Sequence, residues 1–325
     1  MAGDGGSRAV VAALLANAGI AATKFLAFFL TGISSMLAEA IHSVADAGNQ
    51  GLLLLGGKQA RREATKEHPF GYGRERYIYA FVVSIVLFSV GGLFALYEAY
   101  HKFHEIQAGE LEEPGRWAWV PLVVLGVAIV LESLSFRTAL RETNKVRGKA
   151  SIPQFIRRAK QPELPVVLLE DLAALLGLAF AFVAVSLSLV TGSYYFDVAG
   201  TAMIGLLLVV VAVILAIETK SLLLGESASP EAEARIVAAI TGTPGVERII
   251  HMKTLHLGPE ELLVAAKIAV PAAETAEHVA EAIDAAERAV RQAEPIASAI
   301  YLEPDVFRAG YRRDARPEKP AAPSH

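Results

Sequence analysis

The chain has 325 residues, 54% of them hydrophobic and 20% charged, with 34 acidic against 30 basic side chains and no cysteine. So apolar a balance excludes an ordinary soluble domain and indicates a polytopic membrane protein with a soluble part. The net charge of −4 gives no basis for a nucleic-acid partner, and the lack of thiols excludes disulfides and thiolate metal sites.

The opening stretch MAGDGGSRAV is too short and acidic for a cleavable signal or transit peptide, so insertion is expected to come from the first span. Six apolar segments follow, near 9–30, 34–56, 78–100, 117–138, 164–190 and 194–219. Each reaches the roughly 20 residues that a bilayer crossing takes. The second and fifth are interrupted by charge. The loop GKQARREATKEHPFGYGRERY after the second carries six Lys or Arg, and the segment from Arg137 to Lys160 carries eight more. On the opposite side, His101 to Arg116 holds two basic residues, and the remaining connections hold none. The positive-inside rule therefore predicts that both termini lie in the cytoplasm, and the Ala-rich chain with no targeting peptide points to a cell membrane rather than an organelle.

After Glu226 the composition becomes that of a soluble domain. SPEAEARIVAAIT reads as a helix stopped by GTPG. VERIIHMKTLHL and LLVAAKIAV read as strands joined at GPEE, ETAEHVAEAIDAAERAVRQA as an amphipathic helix, and ASAIYLEP as a last strand. The expected organisation is a six-helix membrane domain over 1–225, a small α+β domain of order α-β-β-α-β over 226–305, and a disordered tail over 306–325.

The residues that carry chemistry lie inside the spans. Glu39, His42, Asp46 and Asn49 recur at helical spacing in AEAIHSVADAGNQ and form one stripe. Ionisable groups in hydrocarbon are costly, so they face a protein interior or a polar path. His42 and Asp46 lie one turn apart and can reach one ion. A nitrogen with carboxylate oxygens suits Zn(II), and less well Mn(II), Fe(II) or Co(II). A second helix must supply the remaining ligands, and PVVLLEDLAALLGL offers Glu170 and Asp171. The face of Glu170 continues through Ala173, Ala174, Gly177 and Ala181, small residues that suit a close contact or cavity. The face of Asp171 continues through Leu175, Leu178 and Phe182, which suit lipid or bulk packing. Glu170 is thus the preferred ligand, with Asp171 the alternative. Polar glue between helices is the reading for Asn17, Glu98, Glu132 and Asp197.

Taken together, these stretches resemble the cation diffusion facilitator family. NAGIAATKFLAFFLTGISSMLAEAIHSVAD is similar to that family's first two spans, HPFGYGRERY to the loop after them and YYFDVAGTAMIG to its sixth span. HSVADAGNQGLLLLG and LLEDLAALLGL are similar to its branch containing an animal mitochondrial zinc transporter. The resemblance implies a metallochaperone-like cytoplasmic domain, a homodimer, and export of a divalent metal in exchange for protons by alternating access. Metal and protons would be its substrates, with no cofactor.

The family places paired ligands four apart in both spans two and five, but Ala174 stands four after Glu170. The implied site is therefore His42, Asp46 and Glu170, completed by Asp171 or water, with zinc first on family grounds. Accessory sites look reduced. Thr65 and Tyr72 stand beside His68, while Lys267 and Tyr301 replace histidines near His251 and leave Glu303. His251 and His256, five apart on a strand, point to opposite faces. Two other classes compete with transport. A non-transporting metal sensor or scaffold would bind without cycling. A membrane enzyme would need a phosphate loop, an acidic surface cluster or a nucleophile–base pair, none of which the sequence offers.

Overall fold

In hydrocarbon every backbone N–H and C=O must be satisfied within the protein, so apolar runs of this length form helices. The computed structural model describes residues 3–31, 34–109 and 119–308. Helices stand at each of the six expected positions. They are α1 (Gly3–Thr31), α2 (Ser34–Gln59), a third stretch made of α3 (Glu75–Val86) and α4 (Phe94–Ala108), α5 (Val120–Val146), α7 (Glu163–Thr191) and α8 (Tyr195–Leu224). A short helix, α6 (Ile152–Arg158), precedes α7 and carries a capping box between Ser151 and Gln154.

The third stretch, α5, α7 and α8 are each long and apolar enough to cross a membrane. The first helix has a shorter apolar run, Val10–Leu26. The second is interrupted by its polar stripe. Large apolar side chains such as Val130, Leu134, Val183, Val190, Leu206 and Ile217 are exposed, as suits lipid contact. Inside, Val10, Leu53, Val83, Val166, Leu168, Leu208 and Leu215 form a core shared by five helices.

Two differences from expectation have local causes. The fourth span continues past 138 to Val146, because its charged end is made of good helix formers and carries the Glu142–Lys145 ion pair at 2.6 Å. The third stretch is not one regular helix, since Leu87–Leu93 takes the wider π pattern between α3 and α4. There Ser89 Oγ donates to the Ile85 carbonyl at 2.8 Å, and Gly91 and Gly92 follow. A hydroxyl competing for a backbone acceptor beside two glycines loosens the regular ladder.

The chain divides into two compact units, Met1–Glu226 with His256–Glu260, and Ser227–Leu255 with Glu261–His325. The second runs α9 (Pro230–Thr241), β1 (Arg248–Gly258), β2 (Glu261–Ala269), α10 (Ala276–Ala293) and β3 (Ala297–Asp305). Its sheet has the order β1-β2-β3, and β2 pairs parallel with β3, Val264 opposite Ile300 and Lys267 opposite Glu303. Ser229 caps α9 and Thr275 caps α10, each accepting a backbone N–H of the first turn. Strand β2 buries alternate residues, and Leu262, Val264 and Ile268 pack with Ile236, Ile240 and Val290 of the two helices. The α-β-β-α-β order read from the sequence is the order found. The expected tail falls largely on 309–325, outside the described residues.

Candidate metal centre

Helices α2, α5 and α7 bring the intramembrane polar residues together. Helix α7 begins at Glu163, which pairs with Arg76 at the start of α3. Glu170 follows seven residues later, so it lies about 10 Å along the helix axis. Its carboxylate is buried against α2, where Asn49 Nδ2 donates to Oε1 at 2.9 Å and Gln50 Nε2 donates to Oε2 at 2.5 Å. Asp171, one residue on, is turned about 100° around the helix. It meets α5 instead, accepting from Ser135 Oγ at 2.8 Å.

Of the expected ligands, Asp46 is half-buried on α2, roughly one turn from Asn49 and Gln50. His42 and Glu39 lie on the same helix, but their side chains fall outside the described residues. The charges of Asp46 and Asp171 reach both Glu170 and Glu132, the latter buried on α5. Among the described residues no three His, Asp or Glu side chains converge at metal-binding range. Asn49 and Gln50 of α2 thus meet Glu170, Ser135 of α5 meets Asp171, and the charge of Asp46 reaches both carboxylates.

Asp171 itself is only 1% exposed, while Leu175 and Leu178 on its face are half-buried and Phe182 is exposed. The exposed face of α7 runs through Leu172, Leu176, Val183 and Leu187. Helix α7 packs on α1 and α5 as well as α8, so most of the circumference of its first turns is covered.

Gln50 and Ser135 were not singled out in the sequence, although a glutamine four residues past Asp46 inside an apolar span was a usable signal. Both amides matter for what the site can hold. With their nitrogens on Glu170, Asn49 Oδ1 and Gln50 Oε1 are buried without a hydrogen-bond partner, as is Glu132 Oε2. Buried acceptor oxygens lacking donors are costly, and a cation satisfies them.

The accessory positions are occupied by other contacts. The His68 ring lies 4.6 Å from that of Tyr72, over which Arg62 sits at 4.3 Å, and Thr65 Oγ1 accepts from the His68 backbone at 3.1 Å. In the second unit, His251, Lys267, Tyr301 and Glu303 line a cavity of 590 Å³. The Lys267 ammonium there meets Glu303 at 2.7 Å and Asp305 at 3.0 Å. His256 does not line it; it is buried, with Nδ1 3.3 Å from the Gly258 carbonyl oxygen.

The hydrogen bond from Lys267, with another from the Val306 backbone, holds the Asp305 carboxyl below the usual carboxylate range. A depressed folded value means that Asp305 contributes stability above its unfolded value near 3.8, lost as pH falls through the folded value. Lys267→Ala is expected to move the Asp305 titration upward, as carboxyl-carbon NMR would show. An unmoved titration would mean that the lysine does not set it.

The family model described as the cation efflux transmembrane domain matches residues 10–224. The Mus musculus protein named proton-coupled zinc antiporter SLC30A9, mitochondrial, is 32% identical over 257 residues, covering 78% of this chain and 44% of that one. Metal tolerance protein C4 of Arabidopsis thaliana is 27% identical over 263 residues, 80% of this chain and 56% of that one. The chain thus spans about half the length of these relatives. A solved MamM C-terminal domain is 26% identical, covering 24% of this chain and 92% of that one at a TM-score of 0.23.

Proposed function

The chain belongs to the cation efflux family, and on that premise we propose that it exports a divalent metal cation across the membrane in exchange for protons. Zinc is the favoured substrate, in line with the zinc antiporter to which the chain is similar. The observation that carries the reading is the buried Glu170 carboxylate of α7 held by Asn49 and Gln50 of α2, the helix that also carries Asp46.

In this reading neutral His42 and ionised Asp46 and Glu170 take the metal from the cytoplasmic side, with Asp171 or water completing the set. The amides of Asn49 and Gln50 hold the Glu170 carboxylate in place while the site is empty. Rocking of the helices then exposes the site to the other side. Protons arriving there compete for the same groups, since a protonated ligand does not coordinate, and the metal leaves. Protons ride back on the empty site. Both termini face the cytoplasm, and the second unit joins two copies in a homodimer.

The test is metal uptake into proteoliposomes, comparing Zn(II), Mn(II), Fe(II) and Co(II). Saturable uptake with zinc ahead supports the reading. Binding with no uptake would make the protein a membrane metal sensor. Asp171→Asn and Ser135→Ala discriminate within the site. Loss of an outer-contact residue typically costs about 10–100-fold. Ser135→Ala and Asp171→Asn are each expected to cut uptake about tenfold, less than any change at Glu170. A complete loss with Asp171→Asn would instead make Asp171 the ligand that α7 supplies.

A further inference from the structure

Lys24 has no place in the scheme above. It sits on α1 with 4% of its surface exposed, the one buried lysine among the described residues. A lysine inside an apolar span is expensive, and one facing the bundle interior marks an ion path. Its Nζ donates to Ser43 Oγ on α2 at 2.9 Å, at the residue following His42. Its charge also reaches Glu132 on α5, where those of Asp46 and Asp171 converge.

The positions of these residues along their helices arrange them in levels. Lys24 lies seven residues before α1 ends at Thr31, and Ser43 lies nine after α2 begins at Ser34. Asp46 lies twelve residues into α2. At about 1.5 Å per residue it stands roughly 5 Å further in than Ser43. Further along α2 come Asn49 and Gln50 with Glu170, and on α5 Ser135 follows Glu132 by three residues and meets Asp171. Lys24 therefore heads a polar column whose remaining charged members, among the described residues, are carboxylates.

We propose that Lys24 is a tethered counter-cation of the metal path: the ammonium held by Ser43 offsets the neighbouring carboxylates when the site is empty and opposes a divalent ion when one is bound. The physical ground is exclusion of charge by charge in a low-dielectric interior. While the carboxylates wait unprotonated for a metal ion, one fixed ammonium lowers the cost of their charge without leaving the chain. A metal ion entering beside Asp46 brings two further positive charges to the same column. Lys24 thereby weakens metal binding and keeps release fast, as turnover requires.

The proposal rests on the transport reading for its consequence, but its test is equilibrium binding. Zinc affinity of the purified full chain is measured by calorimetry at fixed pH for wild type, Lys24→Met and Lys24→Arg, followed by uptake in proteoliposomes. Lys24→Met is expected to bind zinc about tenfold more tightly, about 1.4 kcal/mol, and to take it up more slowly. Lys24→Arg, which keeps the charge, is expected to stay within about threefold of wild type. Equal or weaker binding by Lys24→Met would overturn the proposal, whereas failure of wild type to bind metal would overturn the transport reading instead. If Lys24→Met gives no folded protein, Ser43→Ala decides. It frees the ammonium from its serine and lets it move towards the carboxylates, so binding should weaken by about threefold. Unchanged or tighter binding would sink the idea.

Discussion

Glu170→Gln is expected to lower metal uptake by about a hundredfold or more, with the protein still folded. The substitution keeps the shape of the side chain but removes the charge that α7 presents to Asn49 and Gln50 of α2. Loss of a residue that only supports a ligand already costs about 10–100-fold, so loss of a ligand sits at or beyond the upper end. Folding should survive because glutamine still offers an oxygen to Asn49 Nδ2, which lies 2.9 Å from the carboxylate. Burying a neutral amide in that place is also less costly than burying an anion. Uptake assays on protein shown by size-exclusion chromatography to be monodisperse provide the check. Uptake near the wild-type level would remove Glu170 from the ligand set.

The second large effect is on stability. Gly205 on α8 meets the third helical stretch so closely that a Cβ there would lie 2.8 Å from Leu96 Cγ and 3.0 Å from the Leu96 backbone nitrogen. A Cβ at Gly92, in the π segment, would lie 2.7 Å from Val209 Cγ2 and 3.2 Å from the Val209 backbone nitrogen. Two backbones thus approach through paired glycines, the way membrane helices gain close packing. Because backbone atoms stand in the way, no rotamer change relieves the clash. Gly205→Leu is expected to destabilise the protein by about 3 kcal/mol or more, and Gly205→Ala by about 2 kcal/mol. Gly126 on α5 is the control, since nothing lies within 4 Å of its Cβ position. Gly126→Ala should be neutral or stabilising, by up to about 1 kcal/mol. Thermal unfolding in detergent reads all three. A Gly205→Leu protein as stable as Gly126→Ala would contradict the close approach.

How much of this was visible in the sequence depends on whether the cause is local. The helices on either side of Gly192 and the alternation of β2 follow from apolar runs, turn residues and strand period, all local signals. The presence of Glu170 and Asp171 within an apolar run was equally plain. Their surroundings were not, because periodicity tells which residues share a face and not how many neighbours cover the helix. That is why the contact of Asp171 with Ser135 of α5 could not be read from its neighbours at helical spacing. Gln50 and Ser135 gain their roles only from helices far away in sequence. The π segment at Leu87–Leu93 turns on one serine hydroxyl and two glycines, a pattern also common in regular membrane helices. Lys24 is a conspicuous residue in the sequence, but its place at the head of the column requires knowing that α1, α2 and α5 adjoin.

The central claim is that metal moves one way while protons move the other through the same buried carboxylates. The direct measurement loads proteoliposomes with a pH-sensitive dye and a zinc indicator and follows both after zinc is added outside. The account predicts that zinc entry and internal acid loss begin together in wild type, and that both vanish in Glu170→Gln. Zinc entry with no accompanying proton movement, in tightly sealed vesicles, would contradict it.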